Sequence, residues 1–527
     1  MTEDGIAEAF IEFAKKEKLS FFEPSLSVNS FDAEKYERLM DRLEAATIKF
    51  GDLERTLRID SEFFRKKYLA IANTLNKKNL KAITDVVHVF DGNHMKISDS
   101  FTDSGIPYYR GQDIHNFFIE QSSPIFIDKN TFNLPYMKRS HLKQGDVLLS
   151  IVGTIGKISL VSTDSDATCN CKLAILRSKQ IQPEFFAAYL NSEFGQNQIK
   201  RFTRGAVQMG LILEDMNQLV IPELSQTIKD RVTLIIQYAE KALKDSELTY
   251  QQVEELLLLE LGLKDWQPTE ENIAVKSFTE SFAKSDRLDA EHYQPKYDEF
   301  YQRLLKAAKS KNWTIKQYKD LSSKFKYGTS FPLHYLDTGV PFLRIADLQK
   351  YRFDQENLKY ISAQAAQGQT AKVNTGDVLI SRSGTLGLAI EIPEELNGAI
   401  FGSYFILTKP NQSILHPTYL AFYINSLIGK IQTEQANTGA IQTNLTIPVL
   451  ENLKIVCPDL EVQQNFVDLV NQSYAAEDKS KQLLEIAKTG VEKAIEENEE
   501  RATAWINKQL EKLNINILTS LKENESN

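Results

Sequence analysis

The sequence lacks any long hydrophobic run. It has no stretch of about 18 consecutive apolar residues, the length that a membrane-spanning helix needs. Its longest apolar cluster, Leu256 to Leu259, is far too short to span a bilayer. The first ten residues, MTEDGIAEAF, have no basic segment followed by an apolar one, so we expect no signal peptide. The chain is therefore predicted to be soluble and cytoplasmic.

Cysteine and histidine are scarce. The 3 cysteines are too few for a disulfide framework. Cys169 and Cys171 form a C-x-C pair with no second pair nearby, which is not the spacing of a zinc site. The 7 histidines are scattered along the chain. The sequence therefore predicts neither a metal site nor a cofactor bound by this chain.

Net positive charge is also missing, since the formal net charge is -9. This charge at first argues against a nucleic-acid ligand. Most of it lies near the C-terminus, where residues 459–527 hold 14 acidic and 8 basic residues. By contrast, residues 81–224 hold 14 basic and 15 acidic residues, and residues 314–458 hold 13 basic and 11 acidic. These two nearly neutral segments are free to present local basic surfaces.

The main feature of the sequence is an internal repeat with a period near 230 residues, which indicates a duplicated unit. Five blocks recur in the same order, at offsets of 231 or 234 residues: GIPYYRGQDI at 105–114 and GVPFLRIADL at 339–348, GDVLLS at 145–150 and GDVLIS at 376–381, GTIG at 153–156 and GTLG at 384–387, YLNS at 189–192 and YINS at 423–426, GAVQ at 205–208 and GAIQ at 439–442. Upstream, RIDSEFF at 58–64 recurs as RLDAEHY at 287–293.

Each copy is predicted to be α+β, with strands first and a helix late. Residues 147–161 are apolar and β-branched but are interrupted by Gly153 and Gly156, which predicts a strand, a tight turn and a second strand. Residues 184–200 and 418–433 have helical periodicity.

A different pattern follows each copy. Ser225 is placed to cap a helix, Gly262 fits the position just past its end, and the residues between have apolar groups spaced 4 and 3 apart. This seam is formed by Ile228, Val232, Ile235, Ala239 and Ala242, and more weakly by Thr249, Val253 and Leu256. The segment after the second copy, at about residues 460–512, is also predicted to be helical. We expect the two long helices to pack on each other as an antiparallel coiled coil, with the two copies at opposite ends.

These blocks resemble the specificity (S) subunits of type I restriction–modification systems. The resemblance is carried by four doubled motifs, G-[IV]-P-[YF]-[YL]-R, GDVL…GT[IL]G, Y-[LI]-N-S and G-A-[VI]-Q-x-x-L, and covers essentially the whole chain. It implies a double-stranded DNA-binding subunit that reads a gapped two-part sequence. It also implies as partners two DNA adenine methyltransferase (M) subunits, which bind S-adenosylmethionine, and endonuclease/translocase (R) subunits.

The expected fold is α+β, with two tandem target-recognition domains separated by the two long helices. The expected segments are an N-terminal helical region (1–74), target-recognition domain 1 (75–224), a central helical spacer (225–265), a linker with the short helix of the second repeat (266–309), target-recognition domain 2 (310–458), a C-terminal helical spacer (459–512) and a tail (513–527). Residues 1–57 depart from the family pattern and only partly echo the repeated short helix.

Arg110 and Arg344 occupy equivalent positions after an apolar run. Each is a candidate contact to guanine or phosphate, because the arginine fork suits both, and the alternative is a surface arginine. Gln112 is a candidate contact to adenine. Lys157 follows a glycine turn that lacks the phosphate-loop spacing, and Arg382 lies near the equivalent turn.

The remaining candidates are basic or amide side chains near the ends of the predicted elements. Those of the first copy form a cluster that suits phosphate contacts or, alternatively, a helix C-terminus: Lys200, Arg201, Arg204 and Gln208. Those of the second copy are Lys324, Lys326, Arg352, Gln442 and Asn444. Because the two sets differ, we expect the two copies to read different sequences.

No catalytic motif is apparent. Asn133-Leu134-Pro135-Tyr136 resembles an adenine methyltransferase motif but has leucine where the motif has proline at its second position, and it lacks an upstream glycine-rich loop. Pro458-Asp459 is not followed by a fitting E-x-K on a predicted strand, as a nuclease of this type would require. We therefore expect a non-catalytic subunit. The alternatives are a coiled-coil adaptor that does not bind DNA, or the DNA-recognition subunit of another phage-defence methylation system without a nuclease.

Overall fold

The computed structural model describes residues 58–515, except 121–123, 206–209, 331–333, 356, 385 and 437–443, together with a few isolated positions before residue 58. It divides into two compact units. The first unit is built from described residues within Met1–Tyr238 and Leu483–Asn527, and the second from those within Ala239–Gln482. Two long helices, Gln226–Glu260 and Leu460–Glu496, cross the boundary between the units. We call them the first and second spacer helices.

The first unit combines short strands with helices that follow them. Its strands are Leu80–Ala82, Val87–Asp91, Phe101–Thr102, Ile106–Tyr109, Phe126–Ile127, Val147–Ser150, Ile158–Leu160, Thr168–Cys169, Leu173–Ser178 and Val220–Pro222. Its other helices are Lys66–Leu75, Ile83–Val86, Lys129–Phe132, Pro183–Asn191, Glu193–Phe202 and Glu499–Lys512.

The second unit repeats this order. Its strands are Thr314–Gln317, Ser322–Tyr327, Val340–Leu343, Leu348–Gln349, Arg352–Phe353, Lys359–Ile361, Val378–Ser381, Ala389–Glu391, Ile400–Phe401, Phe405–Pro410 and Lys454–Cys457. Its other helices are Phe282–Ser285, Pro295–Ser310, Ala363–Gln367, Pro417–Asn425, Leu427–Ala436 and Ile447–Glu451.

Both units contain a four-stranded antiparallel sheet with the same strand order. In the first unit the order is Val87–Asp91, Leu173–Ser178, Val147–Ser150, Ile158–Leu160. In the second unit it is Ser322–Tyr327, Phe405–Pro410, Val378–Ser381, Ala389–Glu391. The strands of the GDVL motif are interior strands and are buried on both faces, which explains their continuous apolar sequence.

A second sheet in each unit, with four short strands in the first unit and three in the second, contains one parallel pair. Tyr109 pairs with Cys169 in the first unit, and Leu343 pairs with Phe401 in the second. The repetition of this less common pairing, in equivalent strands, confirms the predicted duplication of an α+β unit.

The late helix of each copy is in fact two helices, and the prediction of one continuous helix was wrong. Pro183–Asn191 and Glu193–Phe202 meet at Ser192, whose hydroxyl donates to the carbonyl of Tyr189 at 2.6 Å. A Cβ on Gly195 would lie 2.6 Å from Cα of Leu190, so glycine permits the close approach at this corner.

The first spacer helix begins and ends as predicted, after Ser225 and before Gly262, whose φ is +69°. The early seam is also confirmed, since Ile228, Val232 and Ile235 are all buried. The later seam differs from the prediction, because Leu256 is 37% exposed and Leu257 takes the buried position.

The predicted second long helix is interrupted, so the expectation of one helix over about 460–512 was wrong. The second spacer helix ends at Glu496, and Asn498 caps a separate helix, Glu499–Lys512, by accepting from the backbone N–H of Arg501 at 2.9 Å. An asparagine followed by two glutamates is typical of the first residues of a helix. This local signal favours a new helix at Asn498 over continuation of the second spacer helix.

Within the second unit the two spacer helices pack on each other. Ser246 and Ser473 hydroxyls lie 3.1 Å apart, while Val253 and Leu257 share a core with Phe466. The later part of one helix thus meets the earlier part of the other, and the pair is antiparallel, as predicted. Among the helices that the structure describes, none combines the length and apolarity that crossing a bilayer requires.

Candidate nucleic-acid interface

Several turns that are distant in sequence meet at one end of the first unit. The backbone N–H of Ile151 donates to the carbonyl of Lys172, and that of Leu211 donates to the carbonyl of Ile151, both at 2.9 Å. A Cβ on Gly111 would lie 3.7 Å from Cβ of Lys172. We call residues 110–113, 151–157, 170–172, 204–205 and 210–211 the first turn cluster.

The second unit brings the equivalent turns together. The backbone N–H of Arg382 donates to the carbonyl of Tyr404 at 2.8 Å, and that of Leu445 donates to the carbonyl of Arg382 at 2.9 Å. A Cβ on Gly384 would lie 3.6 Å from Cγ2 of Ile345. Residues 344–347, 382–384, 386–388, 402–404 and 444–445 form the second turn cluster.

The repeated glycine turns within these clusters have the predicted conformation. Gly153 and Gly156 have φ of +86° and +91°, and Gly384 and Gly387 have φ of +78° and +77°. Left-handed backbone of this kind favours glycine. These turns therefore reverse the chain between two strands of the sheet, which confirms the strand–turn–strand prediction.

Arg110 and Arg344 are held by internal ion pairs. Nε and Nη2 of Arg110 each donate to the carboxylate of Asp113 at 3.0 Å. Nε of Arg344 donates to Asp347 at 3.0 Å, and the same hydrogen bonds raise the pKa of the Arg344 guanidinium. Both aspartates have side chains only 1% exposed. Each arginine fork thus neutralises a buried carboxylate and closes the following turn.

The aspartate of each GDVL motif also has a structural partner. Arg177 donates to the Asp146 carboxylate at 2.8 and 2.7 Å, and the carboxylate also accepts from the backbone N–H of Lys143. In the second unit, Asp377 accepts from the backbone N–H of Asn374 and lies 3.4 Å from Nζ of Lys409. The motif therefore fixes the turn that precedes the central strand.

Lysines and one amide are accessible at the first turn cluster and on the helix beside it. Gln112 and Lys172 are exposed, and Lys157 is half-buried on the turn after Gly156. Lys200 is exposed near the end of the adjoining helix, Glu193–Phe202. None of these four side chains has a hydrogen-bond or ion-pair partner within the described part of the chain.

The other basic residues of this region have internal contacts. Arg201 donates to the carbonyl of Phe63 at 3.0 Å, with its guanidinium 4.1 Å from the centre of the phenyl ring. Nε of Arg204 donates to the buried carboxylate of Asp215 at 2.8 Å. The predicted contact Gln208 lies outside the described residues.

The second turn cluster carries different chemistry. The guanidinium of Arg382 lies 4.7 Å from the ring centre of Tyr327, and Tyr404 is 61% exposed beside it. Asn444 is exposed on the adjoining segment. The predicted contact Gln442 lies outside the described residues.

Arg352 belongs to a short hairpin that docks on the spacer helices of the second unit. It donates to Asp478 at 2.9 Å and pairs with Glu477 at 3.0 Å. On the same hairpin Tyr351 stacks on Tyr250, with ring centres 4.6 Å apart. This contact explains how domain and spacer are joined in the second unit.

Lys324 and Lys326 lie on the strand Ser322–Tyr327. Lys324 is exposed, whereas Nζ of Lys326 donates to the carbonyl of Thr370 at 2.6 Å. Burial and the neighbouring Lys324 lower the pKa of Lys326.

Three residues at these surfaces were not predicted from the sequence. Lys172, Tyr327 and Tyr404 all lie on or against the turn clusters. Lys172 and Tyr404 follow equivalent parallel strands at an offset of 232 residues. An alignment of the two copies through these strands would have found them.

A cluster of metal ligands is absent from the described residues of this region. No three His, Cys, Asp or Glu side chains among them are grouped so that they could hold a metal ion. Cys169 is fully buried, and burial raises the pKa of its thiol, which disfavours a nucleophilic thiolate.

Comparison with known families identifies the two repeated regions of the chain. The model of the type I restriction modification DNA specificity domain matches residues 76–225 and 310–487. The chain therefore belongs to this family of DNA specificity domains, which confirms the resemblance seen in its repeated blocks.

Individual relatives are distant. The specificity subunit of the type I restriction enzyme EcoBI from Escherichia coli is 24% identical over 153 residues, which is 29% of this chain and 32% of that protein. Among solved structures, the S subunit from M. genitalium is 14% identical with a TM-score of 0.38, covering 80% of this chain and 96% of that one. The HsdS subunit from Thermoanaerobacter tengcongensis is 18% identical with a TM-score of 0.27, covering 80% and 97%.

Proposed function

We propose that this chain recognises a two-part sequence in double-stranded DNA, as the specificity subunit of a type I restriction–modification complex. The observation that carries the proposal is that one repeated framework presents two different sets of outward side chains. The first turn cluster presents lysines and an amide, and the second presents an arginine and tyrosines. A duplicated scaffold with unlike surfaces suits a ligand with two unlike segments.

Phosphate contacts are proposed for Lys157 and Lys172 of the first turn cluster and for Lys200 on the adjoining helix. These three lysines carry compact charges that have no partner among the described residues, which suits contacts that position DNA without reading it. Gln112 is exposed among them and can pair with an adenine edge in the major groove. Binding should therefore weaken steeply as salt concentration rises.

Arg110 and Arg344 are proposed to position these surfaces. Their forks are occupied by Asp113 and Asp347, so their main contribution is to hold the turn at the start of each cluster. Arg201, Arg204 and Arg352 are proposed to act in the same way, since each is engaged by a neighbouring element.

Partner subunits are proposed to dock on the spacer helices. Leu248, Leu256 and Leu259 of the first spacer helix are 55%, 37% and 56% exposed and lie on one face at helical spacing. An exposed apolar stripe of this kind suits a helix of a partner, here a DNA adenine methyltransferase subunit that binds S-adenosylmethionine. The chain itself would then be non-catalytic and would direct methyltransferase and endonuclease subunits.

The proposal is tested by selecting DNA from a random duplex library with the complex of this chain and its methyltransferase partner. We expect a two-part motif whose halves differ. Lys157→Ala, Lys172→Ala and Lys200→Ala should each weaken binding to all sequences and reduce the salt slope by about one. Selection of no motif, or retention of the motif when the first unit's surface is mutated to acidic residues, would contradict the proposal.

A further inference from the structure

We propose that Arg382 is the side chain with which the second unit reads a guanine base, with Tyr327 holding its guanidinium in place. This inference rests on the proposed function and names a residue of that site. The sequence alone does not distinguish Arg382 from Arg344 or Arg352, which also lie in the second unit. The structure distinguishes them by their partners.

The second unit has five arginines, all within the described residues. Four of them donate to an acceptor in the protein. These acceptors are the carboxylate of Asp289 for Arg287, the carbonyl of Gly262 for Arg303, the carboxylate of Asp347 for Arg344 and the carboxylate of Asp478 for Arg352. Arg382 is the exception among them, since no carboxylate or carbonyl of the described residues accepts from its side chain.

The Arg382 guanidinium is partly buried, and no hydrogen bond from the described residues offsets the loss of water at its buried nitrogen. Its Nε is buried and has no hydrogen-bond partner among the residues that the structure describes. A buried donor without an acceptor is unfavourable and is uncommon in native proteins, where such groups are usually completed by water or by a ligand. Nη1 and Nη2 of Arg382 are not among the buried unpaired atoms of the described residues, so a ligand that supplies two acceptors can bond to the guanidinium at these terminal nitrogens.

The neighbouring tyrosines give the guanidinium a defined orientation. The ring of Tyr327 lies 4.7 Å from the Arg382 guanidinium carbon, which is within the range of a cation–π contact. The Tyr327 hydroxyl in turn accepts from the backbone N–H of Ile447 at 3.1 Å, so the ring is fixed at both ends. A fork that is held before binding loses less entropy on binding than a free one.

Arg382 also lies within the second turn cluster. The backbone of Arg382 is bonded to Tyr404 and Leu445, which are the two segments that meet in the second turn cluster. Tyr404 stands beside it with 61% of its surface exposed. A planar fork next to an exposed aromatic ring fits the edge of a base in a groove, and guanine offers the O6 and N7 acceptors that match the fork.

The equivalent position of the first unit does not carry this fork. The equivalent residue is Ile151, whose backbone makes the same two hydrogen bonds to Lys172 and Leu211. Ile151 is buried and has no donor in its side chain. The guanine contact is therefore specific to one half of the target.

The experiment is motif selection from a random duplex library by the complex with its methyltransferase partner, carrying either the wild-type chain, Arg382→Ala or Arg382→Lys. We expect Arg382→Ala to lose the preference for guanine at one position of one half-site, with about 10- to 100-fold weaker binding to the original sequence. The other half-site should be unchanged. Arg382→Lys keeps the charge but loses the fork, so it should lose the same preference.

A matched control is Lys319→Ala, because Lys319 is an exposed cation on the turn Tyr318–Asp320, whose backbone pairs with Leu453 and not with the second turn cluster. It should leave both half-sites intact, and circular dichroism should show that all variants are folded. If Arg382→Ala weakens binding to every sequence equally, or if Arg382→Lys behaves as wild type, the guanine-reading role is overturned. If the wild-type complex selects no motif, the proposed function itself fails.

Discussion

Replacing Arg344 by alanine tests the division between positioning and reading arginines. Among the described residues, the change leaves the Asp347 carboxylate, whose side chain is 1% exposed, paired only with the backbone N–H of residue 344 at 2.9 Å. Removing one partner of a buried pair costs about 3–5 kcal/mol. Because the Arg344 side chain is 27% exposed, solvent screens part of the pair, and we expect a loss of about 2–3 kcal/mol.

This loss is measurable as a change in melting temperature. In a unit of this size, about 2–3 kcal/mol corresponds to a fall of about 5–10 °C. Scanning calorimetry of the Arg344→Ala variant should show the fall in the transition of the second unit. The double variant Arg344→Leu with Asp347→Leu should recover most of the loss, because no charge is left buried and unpaired.

The same variant should keep its base preferences. Motif selection with folded Arg344→Ala complex should return both half-sites with the same sequence as wild type, although less of the protein is active. An unchanged melting temperature together with a lost base preference in one half-site would refute the reasoning, since it would make Arg344 the reader.

Two further predictions concern the scaffold. Gly195→Ala should lower the free energy of unfolding by about 1–3 kcal/mol, because the new Cβ would meet backbone atoms at the corner between the two helices. The control Gly368→Ala, which has open space around the new Cβ, should leave the free energy of unfolding nearly unchanged in the same urea titration. Burial raises the pKa of Glu477, but ion pairs with Arg352 and Lys481 outweigh it and leave the pKa lowered. The stabilisation by Glu477 is therefore present above the pKa that this carboxyl has in the unfolded chain, and it is lost as pH falls through the pKa in the folded protein. The difference in the free energy of unfolding between wild type and Glu477→Gln should thus shrink from neutral to acid pH. A difference that stays constant with pH would contradict the ion pairs.

The duplicated α+β fold follows from the sequence because periodicity and glycine turns are local signals. The strand pairs of the GDVL motif and the caps at Ser225 and Gly262 were predicted for this reason. The breaks at Ser192 and Asn498 were not, because helical periodicity continues through both positions and only the capping bond decides between a long helix and two short ones.

The candidate surface was only partly predictable. An aspartate three residues after Arg110 and Arg344 is visible in the sequence, but its burial is not, and burial is what commits each arginine to an internal pair. Lys172 and Tyr404 were missed because their short strands carry no strong pattern and are brought to the surface by parallel pairing with a distant strand. Their place depends on tertiary contacts.

The most direct test of the central claim is a genome-wide methylation map of the host by single-molecule sequencing, with the gene for this chain present and deleted. The account predicts an adenine-methylated motif of two unlike, separated parts that disappears on deletion and returns when the gene is restored. An identical methylation map with and without the gene, in cells that express the methyltransferase partner, would contradict the claim that this chain selects the DNA sequence.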